Sequence, residues 1–207
     1  RSYIHRCQKD GVKIVMNCEV TPELIKEEKP DSVIIATGSK TLILPIEGID
    51  NPAIIHGSDL LDGKRPAGKK VLVVGGGMVG CETAAFLGEQ EHDVTVIEFR
   101  DTVGADVIHE HRVYLMKDFE DYGIKEITGA KVCKFYEDGV EYETADGVRH
   151  ETRGYDSVIL SMGFRNYNPL EEKIKDLVPE THVIGDAIRA RRALDATKEA
   201  YEVASRL

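Results

Sequence analysis

The feature that most constrains the fold is a glycine-rich turn that directly follows a short apolar run. Val71–Val74 has the length and composition of a buried strand, and Gly75–Gly80 follows it with the glycine spacing GxGxxG. Apolar residues at near-helical spacing predict a helix over about Met78–Glu89, and the second apolar strand, Val94–Ile97, ends in Glu98. The order strand, glycine turn, helix, strand indicates a Rossmann-type α/β unit with parallel strands.

Each glycine of the turn has a separate physical role in such a unit. Gly75 permits the tight turn, Gly77 lets the backbone approach a pyrophosphate, and Gly80 lets the helix pack closely on the strand. The N-terminus of the helix offers free N–H groups and partial positive charge to the phosphates. Glu98 lies 23 residues after Gly75, close to the usual distance for the acid that binds the ribose hydroxyls.

The sequence therefore predicts a dinucleotide site at Gly75, Gly76, Gly77, Met78, Val79, Gly80, Glu98, Phe99 and Arg100. The alternative is a turn whose glycines serve packing alone, which the second strand and its terminal acid disfavour. Because a carboxylate at Glu98 would repel a 2′-phosphate, we expect NADH to be preferred over NADPH. Arg100 is the residue that would favour the opposite choice.

The remaining pattern predicts an alternation of strands and helices along the chain. Helices are predicted at residues 2–9, after the N-cap Thr21 and Pro22, at about 106–122 and at about 191–205; strands are predicted at Val12–Val15, Asp31–Ala36, Ile124–Thr128, Lys131–Tyr136, Val140–Thr144, Asp156–Leu160 and His182–Ile184. Turns at Asp138–Gly139 and Asp146–Gly147 indicate a β-meander.

Charge and composition exclude several classes of function. The net charge of −10 argues against nucleic-acid binding, which needs a basic face to neutralise phosphates. The apolar runs have the length of strands, far below the ~20 residues that a membrane span requires, and we expect no membrane association. The four cysteines lack metal-ligand or CxxC spacing and are expected to be free thiols in a reducing cytoplasm.

Metal binding and acid–base catalysis also lack a clear signal. His109 and His111 are two residues apart, so they would not share a helix face, and we expect no metal site. No residue is proposed as a catalytic acid, base or nucleophile.

Four segments resemble a known family. Residues 71–84 are similar to the NAD-domain signature of the pyridine nucleotide–disulfide oxidoreductases, Ser32–Gly38 to the ATG segment that leads into that domain, and His182–Ala187 to the motif in which an aspartate binds the flavin. Residues 193–201 are similar to one branch, the C-terminal part of the 2,4-dienoyl-CoA reductase and enoate reductase family, whose N-terminal part is an old-yellow-enzyme-like barrel. The resemblance covers essentially the whole chain.

The resemblance implies NAD(H) at the glycine turn and FAD in the full-length protein. It implies further cofactor contacts at Ala36, Thr37, Gly38, Met162, Gly163, Gly185 and Asp186. Members of the family begin this module with another GxGxxG unit for the FAD pyrophosphate, which does not occur before Asp31. We therefore expect a fragment of a longer protein that holds FAD poorly by itself.

The resemblance also implies a domain order. The expected fold is α/β: a Rossmann-like NAD-binding domain with a β-meander, residues 63–156, inserted in a partial FAD-binding domain formed by residues 1–62 and 157–207. A barrel domain that carries FMN and an iron–sulfur cluster is the expected partner in the full-length protein. A homo-oligomer is compatible with the same resemblance.

The expected function is to pass hydride from NADH to FAD for reduction of an enoate or enoyl-type substrate on a domain outside this sequence. One alternative is a non-catalytic module that binds ADP or a dinucleotide for structural reasons. A second alternative is a stand-alone NADH:acceptor reductase of the disulfide-reductase class, against which the absence of a CxxC or CxxxxC dithiol argues.

Overall fold

The computed structural model describes residues 2–207. The helices are α1 (Ser2–Lys9), α2 (Pro22–Glu28), α3 (Gly57–Leu61), α4 (Met78–Glu89), α5 (His109–Asp121), α6 (Glu171–Ile174) and α7 (Ala193–Ala204), with a 3-10 turn at Gly185–Ala187. The strands are β1 (Ser32–Ile35), β2 (Ser39–Thr41), β3 (Ile55–His56), β4 (Lys70–Val74), β5 (Asp93–Ile97), β6 (Lys125–Ile127), β7 (Lys131–Tyr136), β8 (Gly139–Glu143), β9 (Arg149–Thr152), β10 (Ser157–Leu160), β11 (Phe164–Asn166) and β12 (Glu180–Val183).

The chain folds into two compact units. The first unit comprises the residues up to Ser39 together with Asn166–Leu207, and the second comprises Lys40–Arg165. The expected boundaries at 62/63 and 156/157 both lie inside the second unit. The reason is that β3 and β10 are hydrogen-bonded into the same sheet as β4, which local composition in the loop-rich segment did not reveal.

The second unit is built on a five-stranded sheet with the order β3-β10-β4-β5-β6, in which every pair of neighbours is parallel. Successive side chains of β4 point to opposite faces, so its buried residues Val71–Val74 contribute to two cores. Val71 and Val73 pack in one core with residues of α4 and α5, whereas Leu72 and Val74 pack in the other with Phe135 and Val140 of the antiparallel ribbon. The sequence therefore forms three layers: helices, parallel sheet and meander.

The meander differs in one respect from its sequence-based prediction. The strand predicted at Ile124–Thr128 is β6, which pairs with β5 at the edge of the parallel sheet. The third meander strand is β9, which pairs antiparallel with β8. Its sequence Arg-His-Glu-Thr is polar throughout and exposed or half-buried, so it has none of the apolar alternation from which a strand is recognised.

The first unit contains a parallel pair, β1 and β12, with Ile35 opposite Val183. Thr21 caps α2 through a hydrogen bond from the N–H of Leu24 to its hydroxyl, at 3.3 Å, and Pro22 is the first helical residue, as predicted. The apolar core of this unit is small and consists of Ile25, Ile35, Leu170, Ile174 and Val178, with Val33 and Val183 against it.

The strand predicted at Val12–Val15 is wrong, because these residues form no strand. Val12, Ile14 and Val15 are all exposed, and a short apolar alternation becomes a strand only where a neighbouring strand pairs with it.

The α/β fold class with a Rossmann-like parallel sheet is confirmed. Among the described residues, no helix combines the length and the apolar character needed to cross a membrane.

Candidate functional site

The glycine turn lies at the carboxyl edge of the parallel sheet, between β4 and α4. The N–H of Gly75 donates to the carbonyl of Ile97 at 2.9 Å, which fixes the turn to the end of β5. Gly75 has φ +105°, and a Cβ at this position would collide with the backbone carbonyl of Ser161. Only glycine is compatible with both the positive φ and the close approach of the Ser161 carbonyl, as the motif predicted.

Helix α4 packs directly against the turn. A Cβ on Gly80 would overlap the carbonyl oxygen of Gly75, and a Cβ on Gly76 would press on the side chains of Glu98 and Val103. The predicted role of Gly80, close packing of helix and strand, is therefore visible in the structure. The start of α4 is held over the centre of the sheet edge.

The N-terminus of α4 presents backbone donors that its own residues do not satisfy. Gly77 is the N-cap and has no side chain to accept a hydrogen bond, and the first turn carries no acidic residue. Instead, the N–H of Met78 donates to Oδ1 of Asp106 at 3.0 Å. Free N–H groups together with the helix dipole form a binding site for an anion, and a carboxylate already meets part of it.

Glu98 is half-buried at the end of β5 and is held by two backbone donors. Its Oε2 accepts from the N–H of Gly76 at 2.5 Å, and its Oε1 accepts from the N–H of Arg100 at 2.9 Å. The carboxylate thus lies beside the glycine turn, in the position predicted for a ribose ligand.

An open groove with a volume of about 510 Å³ begins directly beyond Glu98. It is lined by Phe99, Arg100, Asp101, Gly129, Lys131, Glu143, Thr144, Ala145 and Gly147. The sequence pointed to Phe99 and Arg100 but missed the others. One local signal existed for Gly129: it follows β6, and residues after the carboxyl ends of neighbouring parallel strands meet at one sheet edge.

The two other predicted residues in this unit, Met162 and Gly163, follow β10 at the same sheet edge. Met162 is half-buried against the core that includes Leu72 and Val74. Gly163 has φ +97°, and its carbonyl accepts from the N–H of Leu42 at 2.9 Å. The structure thus brings the predicted residues on β4, β5 and β10 to one edge.

In the first unit, the predicted flavin contacts follow the parallel strands β1 and β12. Ala36–Gly38 comes after β1, where Thr37 Oγ1 donates to the carbonyl of Tyr167 at 2.5 Å. Gly185 and Asp186 follow β12, and Asp186 accepts from Ser39 Oγ at 3.3 Å and from the N–H of Arg191 at 3.1 Å. The two segments lie at the same end of the pair.

Glu199 of α7 organises the turn at Gly185. Its Oε2 accepts from the N–H of Gly185 at 2.7 Å, and its Oε1 pairs with the guanidinium of Arg191. The hydrogen bond from Arg191, followed by that from Gly185, lowers the pKa of Glu199 below its ordinary value. The residue is therefore ionised at neutral pH and holds Arg191 and Gly185 together.

One cysteine of the described part of the chain is inaccessible to solvent. Cys81 is completely buried at the start of α4, and burial raises the pKa of its thiol to about 12, so it remains protonated at neutral pH. The four cysteines are free, and residues 2–207 contain no group of three or more His, Cys, Asp or Glu side chains able to hold a metal ion.

Comparisons with known proteins agree with this geometry. The family model described as pyridine nucleotide-disulphide oxidoreductase matches residues 2–184. Cinnamate reductase of Clostridium sporogenes is 30% identical over 200 residues, covering 95% of this chain and 30% of that protein. NADH oxidase of Thermoanaerobacter brockii is 32% identical over 199 residues, covering 94% of this chain and 30% of that protein.

The structure of 2-naphthoyl-CoA reductase in complex with 2-naphthoyl-CoA superposes with a TM-score of 0.90 at 30% identity, covering 99% of this chain and 31% of that one. The chain thus spans about a third of the length of these relatives. The resemblance to the enoate reductase branch is confirmed by these relatives, and pyridine nucleotide and FAD are the cofactors of the family, as expected. Because the family model matches residues 2–184, which is most of the chain, and the fold is Rossmann-like, this chain belongs to the pyridine nucleotide-disulphide oxidoreductase family.

Proposed function

We propose that this chain is the NADH-binding portion of a flavin-dependent oxidoreductase, in which hydride passes from NADH to FAD. The observation that carries the proposal is the convergence at one sheet edge of three features: the glycine turn, the N-terminus of α4 and the carboxylate of Glu98. These are the groups that a dinucleotide requires for its pyrophosphate and ribose.

The residues fit the three parts of the ligand in order along the edge. The pyrophosphate would lie over Gly75–Val79, where Gly77 leaves the backbone accessible, and Glu98 would accept from a ribose hydroxyl. The groove beyond Glu98 has the size of a small-ligand site, and the 68%-exposed ring of Phe99 offers an apolar surface to the adenine. Met162 and Gly163 would contact the nicotinamide end.

The nicotinamide supplies the hydride when NADH is bound, and the protein supplies position and electrostatics. The backbone N–H groups at the N-terminus of α4 bind the phosphates, and Glu98 selects the ribose. In the first unit, Ala36–Gly38, Gly185 and Asp186 would contact FAD.

The relatives support a finer assignment of substrate and partner. Cinnamate reductase and 2-naphthoyl-CoA reductase, as their names state, reduce a conjugated acid and an aromatic thioester. We infer that this protein acts on a related enoate or enoyl-type substrate at a domain outside the 207 residues. That domain would be the FMN and iron–sulfur barrel of a cytoplasmic enzyme, and a homo-oligomer would fit the same scheme.

The experiment that tests the proposal is titration of NADH with the variant Gly77→Val. A branched side chain at the N-cap of α4 would project toward the phosphates, so binding should fall below detection while the thermal unfolding temperature remains near that of the wild type. Ala105→Val adds similar bulk at an exposed position of the neighbouring loop and should leave the affinity unchanged. A folded Gly77→Val variant that binds NADH as the wild type does would contradict the proposed site.

A further inference from the structure

The loop between β5 and α5, residues 98–108, is anchored to the glycine turn. The N–H of Gly104 donates to the carbonyl of Gly76 at 2.7 Å, and the buried side chain of Val103 lies 2.9 Å from the position that a Cβ on Gly76 would take. Arg112 of α5 donates from Nη2 to the carbonyl of Val103 at 3.1 Å, which holds the loop from its other side. The position of the following residues is therefore fixed relative to α4.

This anchoring brings the carboxylate of Asp106 to the N-terminus of α4. The Met78 N–H donates to its Oδ1 at 3.0 Å, across 28 residues of sequence, and its Oδ2 lies 3.2 Å from the position of a Cβ on Gly77. An N-cap side chain normally supplies this acceptor, but Gly77 has none. Asp106 thus caps α4 in place of the N-cap residue Gly77, which has no side chain.

The same N–H groups are the ones proposed to bind the pyrophosphate. Two anions cannot both occupy the end of one helix without mutual repulsion, and like charges ~4 Å apart disfavour each other by about 1 kcal/mol even in a watery site, which is about fivefold in affinity. Glu98 does not raise the same conflict, because its proposed partner is an uncharged ribose hydroxyl and not the pyrophosphate.

We propose that Asp106 is a built-in anion that occupies the pyrophosphate position of α4 in the free protein and that the dinucleotide must displace. The proposal rests on the proposed function, since it concerns the same site. Asp106 is exposed, and the loop on either side of it is held by main-chain hydrogen bonds of Gly104 and Val107, so its side chain can rotate away from the helix without breaking those bonds. It therefore weakens dinucleotide binding while stabilising the free protein.

The test measures two quantities on the wild type and on Asp106→Asn and Asp106→Ala. The Kd for NADH, from quenching of its fluorescence, should fall by about fivefold or more in both variants, because the competing charge is removed. The thermal unfolding temperature without ligand should decrease in Asp106→Ala, which loses the cap, and less in Asp106→Asn, which keeps an oxygen acceptor. Glu110→Gln removes one charge from an exposed position on the first turn of α5 and should leave the Kd for NADH unchanged.

Adenosine serves as the control ligand, because it contains the adenine and the ribose but no phosphate. The affinity of the protein for adenosine should be the same in the wild type and in both Asp106 variants. Unchanged or weaker NADH binding in folded Asp106→Asn and Asp106→Ala, with a wild type that binds NADH, would overturn this inference alone. An equal gain in NADH affinity in Glu110→Gln would also overturn the inference, because the effect would then come from the net charge of the protein and not from the position of Asp106. Failure of every protein to bind NADH would overturn the proposed function.

Discussion

At the scale of the residue, Glu98 has a structural role in addition to the ribose contact that its spacing from the glycine turn predicts. The sequence assigned it to a ribose, on the ground that it ends the second strand of the fingerprint. In the structure it also fastens the glycine turn, because its Oε2 accepts from the N–H of Gly76 at 2.5 Å. In the proposed function, binding of the ribose and the shape of the turn therefore depend on the same carboxylate.

We expect Glu98→Ala to lower the discrimination between NADH and NADPH by roughly fivefold or more, because the repulsion of a 2′-phosphate disappears. Arg100 and Lys131, which both line the adjoining groove, would then attract the 2′-phosphate. The measurement is the Kd of both cofactors for wild type and variant. Glu126→Ala, on the neighbouring strand, is the matched control, and tighter NADPH than NADH binding by the wild type would show that Arg100 sets the preference.

At the scale of the element, α4 and the glycine turn form one packing unit. Gly80 has no space for a Cβ, since the carbonyl of Gly75 occupies that position, whereas a Cβ on Gly77 would meet only the flexible end of the Asp106 side chain at 3.2 Å. Two glycines of one motif thus have different reasons to be glycine: packing at Gly80 and, in the proposed function, access for the ligand at Gly77.

We expect Gly80→Ala to destabilise the second unit by about 3 kcal/mol, the upper end of what overpacking costs, because helix and turn must move apart. For a domain of this size, that corresponds to a fall of roughly 6–12 °C in the unfolding temperature. Gly77→Ala is the matched control and should unfold within about 2 °C of the wild type. Equal unfolding temperatures for the two variants in calorimetry would refute the assignment of separate roles.

At the scale of the whole molecule, the two units differ in what they offer a cofactor. The second unit has a glycine turn, a helix N-terminus and a groove. The described part of the first unit has the segments Ala36–Gly38 and Gly185–Asp186, and Asp186 already accepts hydrogen bonds from Ser39 and Arg191. A flavin would therefore gain few new hydrogen bonds from the first unit.

We expect the 207-residue chain, purified as such, to retain no stoichiometric FAD after gel filtration, although it binds NADH. The reason is that a flavin pyrophosphate would find no GxGxxG turn in the first unit. The measurement is the visible flavin absorbance of the protein peak after incubation with excess FAD. A yellow protein peak with one FAD per chain would contradict this prediction and would show that Gly185, Asp186 and their neighbours suffice.

The sequence by itself determined those parts of the protein that depend on residues close together in the chain. The local apolar pattern and the backbone conformations open only to glycine predict the strand, the glycine turn and the helix over residues 71–89. Helix α4 has the predicted bounds. The cap of α2 by Thr21 is equally local. The family and the fold class were accessible for the same reason.

Only the tertiary structure decided what depends on distant segments. β9 is a strand because β8 offers it a partner, whereas Val12–Val15 forms no strand although its apolar residues are suitable. β3 and β10 belong to the second unit because β10 pairs with β4 and β3 pairs with β10. Asp106 caps a helix 28 residues earlier in the chain, and Gly129 and Lys131 line a groove with Phe99. Strand pairing and charge contacts of this kind are fixed by packing across the sheet, which no local pattern of residues encodes.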